Sequence, residues 1–203
     1  MTTPKMPRGA AAREKLLRAA ADELGETGQM EVAAVARRAG VSAGLPYRYF
    51  GTRSGLLIAL LDAFYERLAN AAALRTYEAP TWVDREQQRI RDWVTALYAD
   101  PLAPVVLNGL AGDAEVAAAN TRHLHLLIEV GARNIAHAQR TGELPADRDP
   151  EFLAAATLGG INTMLSVALT RESRPAVDDM IAELWTVVRG AVGLTTTSLD
   201  EKK

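Results

Sequence analysis

The chain of 203 residues is 48% hydrophobic and 24% charged, so it can bury a substantial core and form one or two domains. It contains no cysteine, which excludes disulfides, cysteine nucleophiles and thiolate metal sites. Alanine is abundant and alternating apolar–polar runs are absent, so the composition favours an all-α fold. No basic segment precedes an apolar one near the N-terminus, so we expect no signal peptide and a cytoplasmic protein.

The formal net charge of −2 conceals an uneven distribution along the chain. Residues 1–55 carry nine Lys and Arg against five Asp and Glu, whereas residues 56–203 carry fourteen against twenty. A basic N-terminal part joined to an acidic remainder is typical of a small head that contacts nucleic acid. Residues 1–7 are expected to be a mobile arm, and residues 195–203 a disordered tail.

The first amphipathic helix is predicted over residues 9–24, and Gly25 is expected to end it. Two short helices follow in residues 31–50. Gly40 suits the left-handed position after the first of these, and Ser42 is expected to cap the second. The second helix is rich in Tyr and Arg. A helix, a glycine-containing turn and such a second helix are typical of a helix-turn-helix.

The segment AGVSAGLPYRYF, followed by GTRSGLL, resembles the N-terminal domain of the TetR (tetracycline repressor) family of bacterial transcriptional regulators. The resemblance covers the first third of the chain, and the remainder is similar only in helical character and length. It implies an all-α protein of about nine helices, with a DNA-binding domain in residues 1–52, a linking helix in 53–78 and a ligand-binding and dimerisation domain in 79–203. The positions that carry it are Ala39, Gly40, Val41, Ser42, Gly44, Tyr47, Phe50, Arg53, Leu56 and Leu57.

The second short helix is expected to enter the major groove of double-stranded DNA. Arg48 is the candidate for reading a base, and a guanine suits it best. Tyr47, Tyr49 and Arg53 are assigned to phosphates, which position a protein without reading sequence. The full set predicted to face DNA is Ala43, Gly44, Leu45, Tyr47, Arg48, Tyr49 and Arg53.

Four features depart from the pattern of such regulators. Ala43 and Leu45 replace polar residues, and they can contact a thymine methyl but cannot hydrogen-bond base edges. Glu31, at the start of the first short helix, would repel a phosphate. Pro46 removes the first intrahelical hydrogen bond of the second helix and crowds the Ser42 carbonyl.

The rest of the chain is predicted to be helical apart from short connections. A long helix in residues 53–74 starts beside the DNA-binding helix and runs away from it, so it is the expected mechanical link. Further helices are predicted over residues 82–98, 104–110, 113–140, 151–170 and 176–192.

Residues 152–170 form a run of nineteen uncharged residues that could be a membrane span or a buried helix. Its glycines, threonines and asparagine favour a helix buried on several faces. The last helix is too apolar to cover only its own core, so we expect these two helices to pair with their copies in a homodimer. The predicted interface residues are Phe152, Leu165, Ile181, Leu184, Trp185 and Val188.

Polar or aromatic residues on otherwise apolar helices are candidates for lining a pocket for an apolar small-molecule effector. No cofactor is predicted. His123 and His125 are two residues apart and would point in nearly opposite directions on a helix, so no metal site is predicted. The candidate pocket residues are Trp93, Tyr98, Asn108, His125 and Asn162.

The favoured interpretation is a homodimeric transcriptional repressor that a small-molecule effector releases from a palindromic operator. The alternative is a dimeric helical interaction module of the same fold that does not bind DNA sequence-specifically. An enzyme is not expected, because the chain has no GxSxG, HExxH or glycine-rich phosphate-binding motif. Steep loss of DNA affinity with rising salt would favour the repressor.

Overall fold

The computed structural model describes residues 8–110 and 113–194, and this part of the chain contains nine α-helices and no β-strand. The predicted all-α fold class is confirmed. The arm predicted over residues 1–7 and the tail predicted over residues 195–203 lie outside the described residues. The helices are α1 (Arg8–Thr27), α2 (Val32–Arg38), α3 (Leu45–Phe50), α4 (Arg53–Leu68), α5 (Trp82–Ala99), α6 (Ala103–Leu107), α7 (Ala114–Arg140), α8 (Pro150–Thr170) and α9 (Val177–Ala191).

Helix α1 is longer than predicted because it continues through Gly25. It ends before Gly28, which has a φ of 68° and donates its amide to the Leu24 carbonyl at 2.9 Å. A Cβ atom at Gly25 would lie 3.5 Å from the carbonyl oxygen of Pro101. Gly25 therefore lies at a contact between α1 and the segment after α5, and the prediction that it ends the helix was wrong.

Helix α4 joins the head, α1–α3, to the body, α5–α9. Its N-terminus packs against α3 and α1, and further along it packs against α7. Its C-terminal end widens into a π-helical turn, Ala69–Ala73, in which the Leu74 amide donates to the Ala69 carbonyl five residues earlier at 2.8 Å. The buried side chains of α4 belong to a core that continues from Leu16 in α1 to Val192 after α9. Head and body therefore share one apolar core.

The body is organised around α8, which packs against α6, α7 and α9. By length and composition alone, α8 is long and apolar enough to cross a membrane. In the described chain, 33% of its most apolar stretch is buried against other helices. Its buried residues, among them Leu153 and Leu165, face the neighbouring helices. A long face of α8 therefore stays uncovered in a single chain, and it consists of uncharged side chains.

Candidate DNA-binding surface and effector cavity

The turn between α2 and α3 is built by a glycine in the left-handed conformation. Gly40 has a φ of 62°, and its amide donates to the Arg37 carbonyl at 3.0 Å. The amide of Val41 reaches back to the Ala36 carbonyl, also at 3.0 Å. These two bonds form a Schellman motif, which satisfies the last carbonyl groups of α2 and turns the chain sharply. The role predicted for Gly40 is confirmed.

Helix α3 begins two residues later than predicted, and its N-cap residue is Gly44. Ser42 makes no side-chain cap hydrogen bond; its carbonyl accepts from the Leu45 amide at 3.0 Å in a tight turn. Pro46 follows, and it has no N–H with which to continue a helix from Ser42. The expectation that Ser42 caps α3 was therefore wrong, because Pro46 moves the start of the helix.

The outer face of α3 and the two residues before it are exposed in the described structure. Ala43, Gly44, Tyr47, Arg48 and Tyr49 are all exposed, and the exposed fraction of Tyr47 reaches 53%. Within the described residues, the Arg48 side chain makes no hydrogen bond or ion pair. The guanidinium of Arg48 and the exposed phenol of Tyr47 are therefore available to bind bases and phosphates.

Three of the residues predicted to face DNA, among them the exposed Tyr49, also contact other parts of the head. Leu45 is half-buried against the core. The Tyr49 hydroxyl lies 3.6 Å from the position that a Cβ of Gly9 would occupy, so its ring reaches the first turn of α1. Arg53 is exposed, but its Nε donates to the Met30 carbonyl at 2.9 Å and joins α4 to the segment before α2. These three side chains fix the position of α3 and α4 relative to the rest of the head.

A carboxylate at the start of α7 connects the head end of α4 to the body. Asp113 caps α7 by accepting from the amides of Glu115 at 3.0 Å and Val116 at 3.3 Å. The hydroxyl of Ser54, in the first turn of α4, donates to the same carboxylate. The bond from Ser54 is the main cause that lowers the pKa of Asp113, and the capped amides and Arg53 act in the same direction. The charge of Asp113 thus holds the N-termini of two helices together.

Two more polar contacts join α4 to α7 further along. His123 Nε2 lies 2.7 Å from the Asp62 carboxylate, and its ring stacks on Tyr65 with 4.6 Å between ring centroids. The Tyr65 hydroxyl donates to Asn120 Oδ1 at 2.7 Å. Burial raises the pKa of Tyr65 to about 12. Polar contacts therefore join α4 to α7 at three levels along its length.

A cavity of about 90 Å³ lies inside the body, between the π-helical turn, α5, α7 and α8. Its wall is mainly apolar, with one charged pair. Among the described residues, no group of three or more His, Asp or Glu is placed to hold a metal ion. The lining residues are Ala73, Glu86, Arg89, Ile90, Trp93, Leu127, Val130, Gly131, Asn134, Ala154, Thr157, Leu158 and Ile161.

The charged pair in the cavity wall is Glu86 with Arg89, one turn apart on α5. Glu86 accepts from Arg89 and, at 3.1 Å, from Asn134 Nδ2 of α7. Burial raises the pKa of Glu86, and Arg89 and Asn134 oppose that effect. The Arg89 guanidinium lies 4.9 Å from the ring centroid of Tyr77. The indole N–H of Trp93 is buried and has no hydrogen-bond partner in the described part of the chain.

Of the five predicted pocket residues, only Trp93 lines this cavity. His125 is exposed. Asn108 is bonded to the Pro104 carbonyl and to Ser166. Tyr98 and Asn162 each have a buried polar atom without a partner among the described residues, but neither lines the cavity.

Four residues predicted for the dimer interface are buried within one chain: Leu165, Ile181, Leu184 and Val188. Trp185 is half-buried and packs beside Trp82 of α5, with 6.4 Å between ring centroids. These side chains form the core between α9, α8 and α5, so they are not available to a second chain. Only Phe152, which is 78% exposed, lies on the outer surface.

The uncovered face of α8 uses different residues at spacings of four, three, four and four. Its members are exposed, uncharged and mostly small: Phe152, Ala156, Gly159, Thr163 and Val167. Val187 of α9 extends this face; it is 41% exposed and lies 3.8 Å from the position that a Cβ of Gly160 would occupy. We call these six residues the outer stripe. Side chains of this size let two helices approach closely.

Part of the sequence and the fold as a whole are similar to those of known proteins. Residues 16–60 match the sequence model of the family described as bacterial regulatory proteins, tetR family. No curated protein sequence matches the chain. Among solved structures, the fatty acid degradation regulator FadR from Bacillus halodurans is similar with a TM-score of 0.79 and 18% identity, over 92% of this chain and 96% of that one.

Two further structures show the same fold at similar distance. FadR from Bacillus subtilis, solved in complex with stearoyl-CoA, has a TM-score of 0.73 and 20% identity over 90% of this chain and 98% of its own. A TetR-family transcriptional regulator from Pectobacterium atrosepticum has a TM-score of 0.72 and 20% identity, over 94% and 98% of the two chains.

A helix-turn-helix head joined by one long helix to an all-α body defines the class of helix-turn-helix transcriptional regulators. Residues 16–60 match the N-terminal model of the TetR transcriptional regulators, and the described chain has the fold of a solved regulator of that family. The resemblance seen in the sequence motif is confirmed.

Proposed function

We propose that the chain is a homodimeric repressor that binds a palindromic DNA operator and is released from it by a small-molecule effector. The observation that carries the proposal is the exposed face of α3, where the side chains of Tyr47 and Arg48 make no hydrogen bond or ion pair with the described residues. In this proposal residues 1–52 bind DNA, residues 53–78 link, and residues 79–203 bind the effector and a second chain. The repressor acts in the cytoplasm.

The outer stripe supports dimerisation through α8 and α9. Phe152 and Val167 are 78% and 50% exposed, and no charged residue interrupts the stripe. A second copy of the same stripe is its natural partner, because a twofold axis pairs each small residue with an equally small one. One recognition helix reads few base pairs, whereas two that are about 34–36 Å apart read successive major grooves.

The cavity supports a route from effector to head. Its wall includes Ala73, in the turn that continues α4, and Asn134, on α7. The turn continues α4, and α4 is bonded to α7 through Ser54, Asp62 and Tyr65. An effector that requires a wider cavity favours the chain conformation that does not fit DNA, and a coupling of about 1–3 kcal/mol is typical of such linkage.

The test of DNA binding is selection from a random double-stranded DNA pool at physiological salt, followed by affinity measurements on the selected sequence. Arg48→Ala should weaken the selected sequence by about 1–3 kcal/mol and random DNA much less. Arg18→Ala is the matched control, because Arg18 is an exposed arginine of the same head on α1, bonded only to Glu14 in the described chain. Equal losses on both DNAs for Arg48→Ala would contradict a base-reading role.

The same experiment decides between the repressor and the interaction module. A repressor should yield a palindrome, and its affinity should fall steeply as salt rises, because binding releases counterions from phosphates. A folded dimer that enriches no sequence would instead support the interaction module. Glu31, Ala43 and Leu45, which give DNA little to bind, are the features that favour that second outcome.

A further inference from the structure

The wall of the body cavity contains more hydrogen-bond donors than acceptors. Glu86 supplies a carboxylate, which already accepts from Arg89 and Asn134. Arg89 carries five N–H donors, and among the described residues its only hydrogen-bond partner is Glu86. Trp93 adds a buried indole N–H that has no hydrogen-bond partner among the described residues. A ligand that supplies acceptors would therefore satisfy groups that the protein leaves unpaired.

We infer that the effector is a compact apolar carboxylate whose carboxyl group binds Arg89 in place of Glu86. This inference rests on the proposed effector role of the cavity. A guanidinium binds a carboxylate through two parallel N–H···O bonds, which makes Arg89 the natural anchor. The aliphatic wall formed by Ile90, Leu127 and Ile161 receives the apolar part of the molecule.

The size of the cavity restricts the ligand to small acids. Its volume of about 90 Å³ is well below the roughly 300–1,000 Å³ of pockets for drug-sized molecules. A long acyl chain such as that of stearoyl-CoA, which B. subtilis FadR holds, exceeds this space. Branched short-chain or single-ring acids fit with a modest separation of the helices, and that separation moves Ala73 and α7.

A cationic ligand is disfavoured by the same groups. Its partner would be Glu86, whose carboxylate is already taken by two donors, and its charge would lie beside Arg89. Among the described residues, Glu86 and Arg89 are the only ionisable ones in the cavity wall. When Glu86 is ionised, the two charges cancel, so an arriving anion leaves one negative charge in excess.

The excess charge is removed if Glu86 takes up a proton when the ligand carboxylate binds Arg89. Burial already raises the pKa of Glu86, and loss of Arg89 raises it further. A protonated Glu86 can keep its bond from Asn134. Ligand and proton then bind together, so the affinity should fall about tenfold per unit rise in pH wherever Glu86 is ionised in the empty protein.

The experiment uses the full chain and two sets of matched probes, isobutyrate with isobutyramide and isobutylamine, and benzoate with benzamide and benzylamine. Binding is followed by the indole N–H resonance of Trp93 and by calorimetry in buffers of different ionisation enthalpy, which counts protons. We expect a carboxylate of at least one set to bind with proton uptake and more tightly than its amide or amine. Preferential binding of an amide or amine, or no binding in either set, overturns the inference.

Three variants are expected to change the affinity for the acid in opposite directions. Glu86→Gln frees Arg89, so wherever Glu86 of the parent is ionised it should bind the acid more tightly, by about tenfold for each pH unit above the Glu86 pKa, and without proton uptake or pH dependence. Arg89→Met should lose binding. Because Arg89→Met leaves Glu86 buried without its partner, the double variant Glu86→Gln/Arg89→Met serves as a folded, uncharged control that also should not bind. Weaker binding by Glu86→Gln contradicts the exchange of partners.

Failure of the inference can be told apart from failure of the proposed function. Acid binding that follows these rules in a protein that selects no DNA would leave the ligand assignment standing and remove the repressor. A protein that binds a palindrome but none of the acids would keep the repressor and remove the carboxylate.

Discussion

Replacing Gly55 with alanine should displace the recognition helix. A Cβ at Gly55 would lie 2.0 Å from the carbonyl oxygen of Phe50, the last residue of α3, and Cβ contacts shorter than 3.0 Å essentially never occur. The two atoms must separate by at least about 1 Å, and a backbone carbonyl cannot rotate aside as a side chain does. That shift exceeds the tolerance of base contacts, whose length range is about 2.7–3.2 Å.

The energetic cost of Gly55→Ala follows from two opposing contributions. Overpacking costs about 1–3 kcal/mol, and a backbone clash belongs at the upper end. The smaller entropy of the unfolded alanine chain returns about 0.5–1 kcal/mol. We therefore expect a loss of about 2 kcal/mol in the free energy of unfolding, measured by urea denaturation, and at least about a tenfold loss of affinity for the selected DNA.

The matched control for this substitution is Gly25→Ala in α1. Its Cβ would meet Pro101 at 3.5 Å, an ordinary contact, and Gly25 is inside a helix. It should gain about 0.5–1 kcal/mol and bind DNA normally. If Gly55→Ala were as stable as the parent and bound the selected DNA equally well, the packing of α3 on α4 would not depend on this glycine.

Three further substitutions test other parts of the structure. Val187→Glu should convert the dimer to a monomer, seen as a lower mass by light scattering, with the helices intact. Val188→Glu, one residue along, should lower the free energy of unfolding by about 3–5 kcal/mol, because it buries an unpaired charge. Equal behaviour of the two variants would contradict dimerisation through the outer stripe. In Asp113→Asn, the free energy of unfolding, measured by urea denaturation, should fall less steeply as the pH is lowered. The lowered pKa of the Asp113 carboxylate contributes stability that is lost as pH falls through its folded-state value. Tyr65→Phe should remove a loss of stability between about pH 10 and about 12, because a raised phenol pKa contributes stability that disappears as pH rises through that range.

Local backbone chemistry was readable from the sequence where one residue decides it. Gly40 marks the α2–α3 turn because a left-handed residue is needed there, and Asp113 caps α7 with its own side chain. The cap expected at Ser42 failed because its bond depends on Pro46, four residues away, and not on Ser42 itself. Gly25 and Gly28 look alike in sequence, and the left-handed conformation that marks the end of the helix is found at Gly28, whereas Gly25 lies inside the helix beside Pro101.

Apolarity alone does not show which face of α9 is buried in its own chain. Leu184 and Val188 fill the core, whereas Val187, which is as apolar as Val188, is 41% exposed. The outer stripe contains Gly159 and Thr163, which carry a weak hydrophobic signal. Which stripe faces inward depends on how α9 rotates against α5 and α8, and that contact is a tertiary property.

The charged pair in the cavity wall was missed, although a signal for it was present. Glu86 lies four residues before Ile90 and seven before Trp93, so it extends the buried stripe of α5. A charge on a buried stripe is unusual unless it is paired, and Arg89 supplies the partner. From the sequence alone, Glu86 and Arg89 look like solvated charges on an amphipathic helix. Asn134 and most of the cavity wall, which show otherwise, come from distant parts of the chain.

The π-helical turn, Ala69–Ala73, has a consequence for how α4 can be lengthened or shortened. A turn closed by a five-residue bond contains one residue more than an α-turn, so everything after it is rotated by about 100° relative to an uninterrupted helix. Deleting Ala71 would restore continuous α-helical register, with the positions of Ser54, Asp62 and Tyr65 unchanged. The helix would then present a different residue to the cavity in place of Ala73. The rotation of the end of α4 that faces the cavity is therefore set independently of the rotation of the end that faces the head.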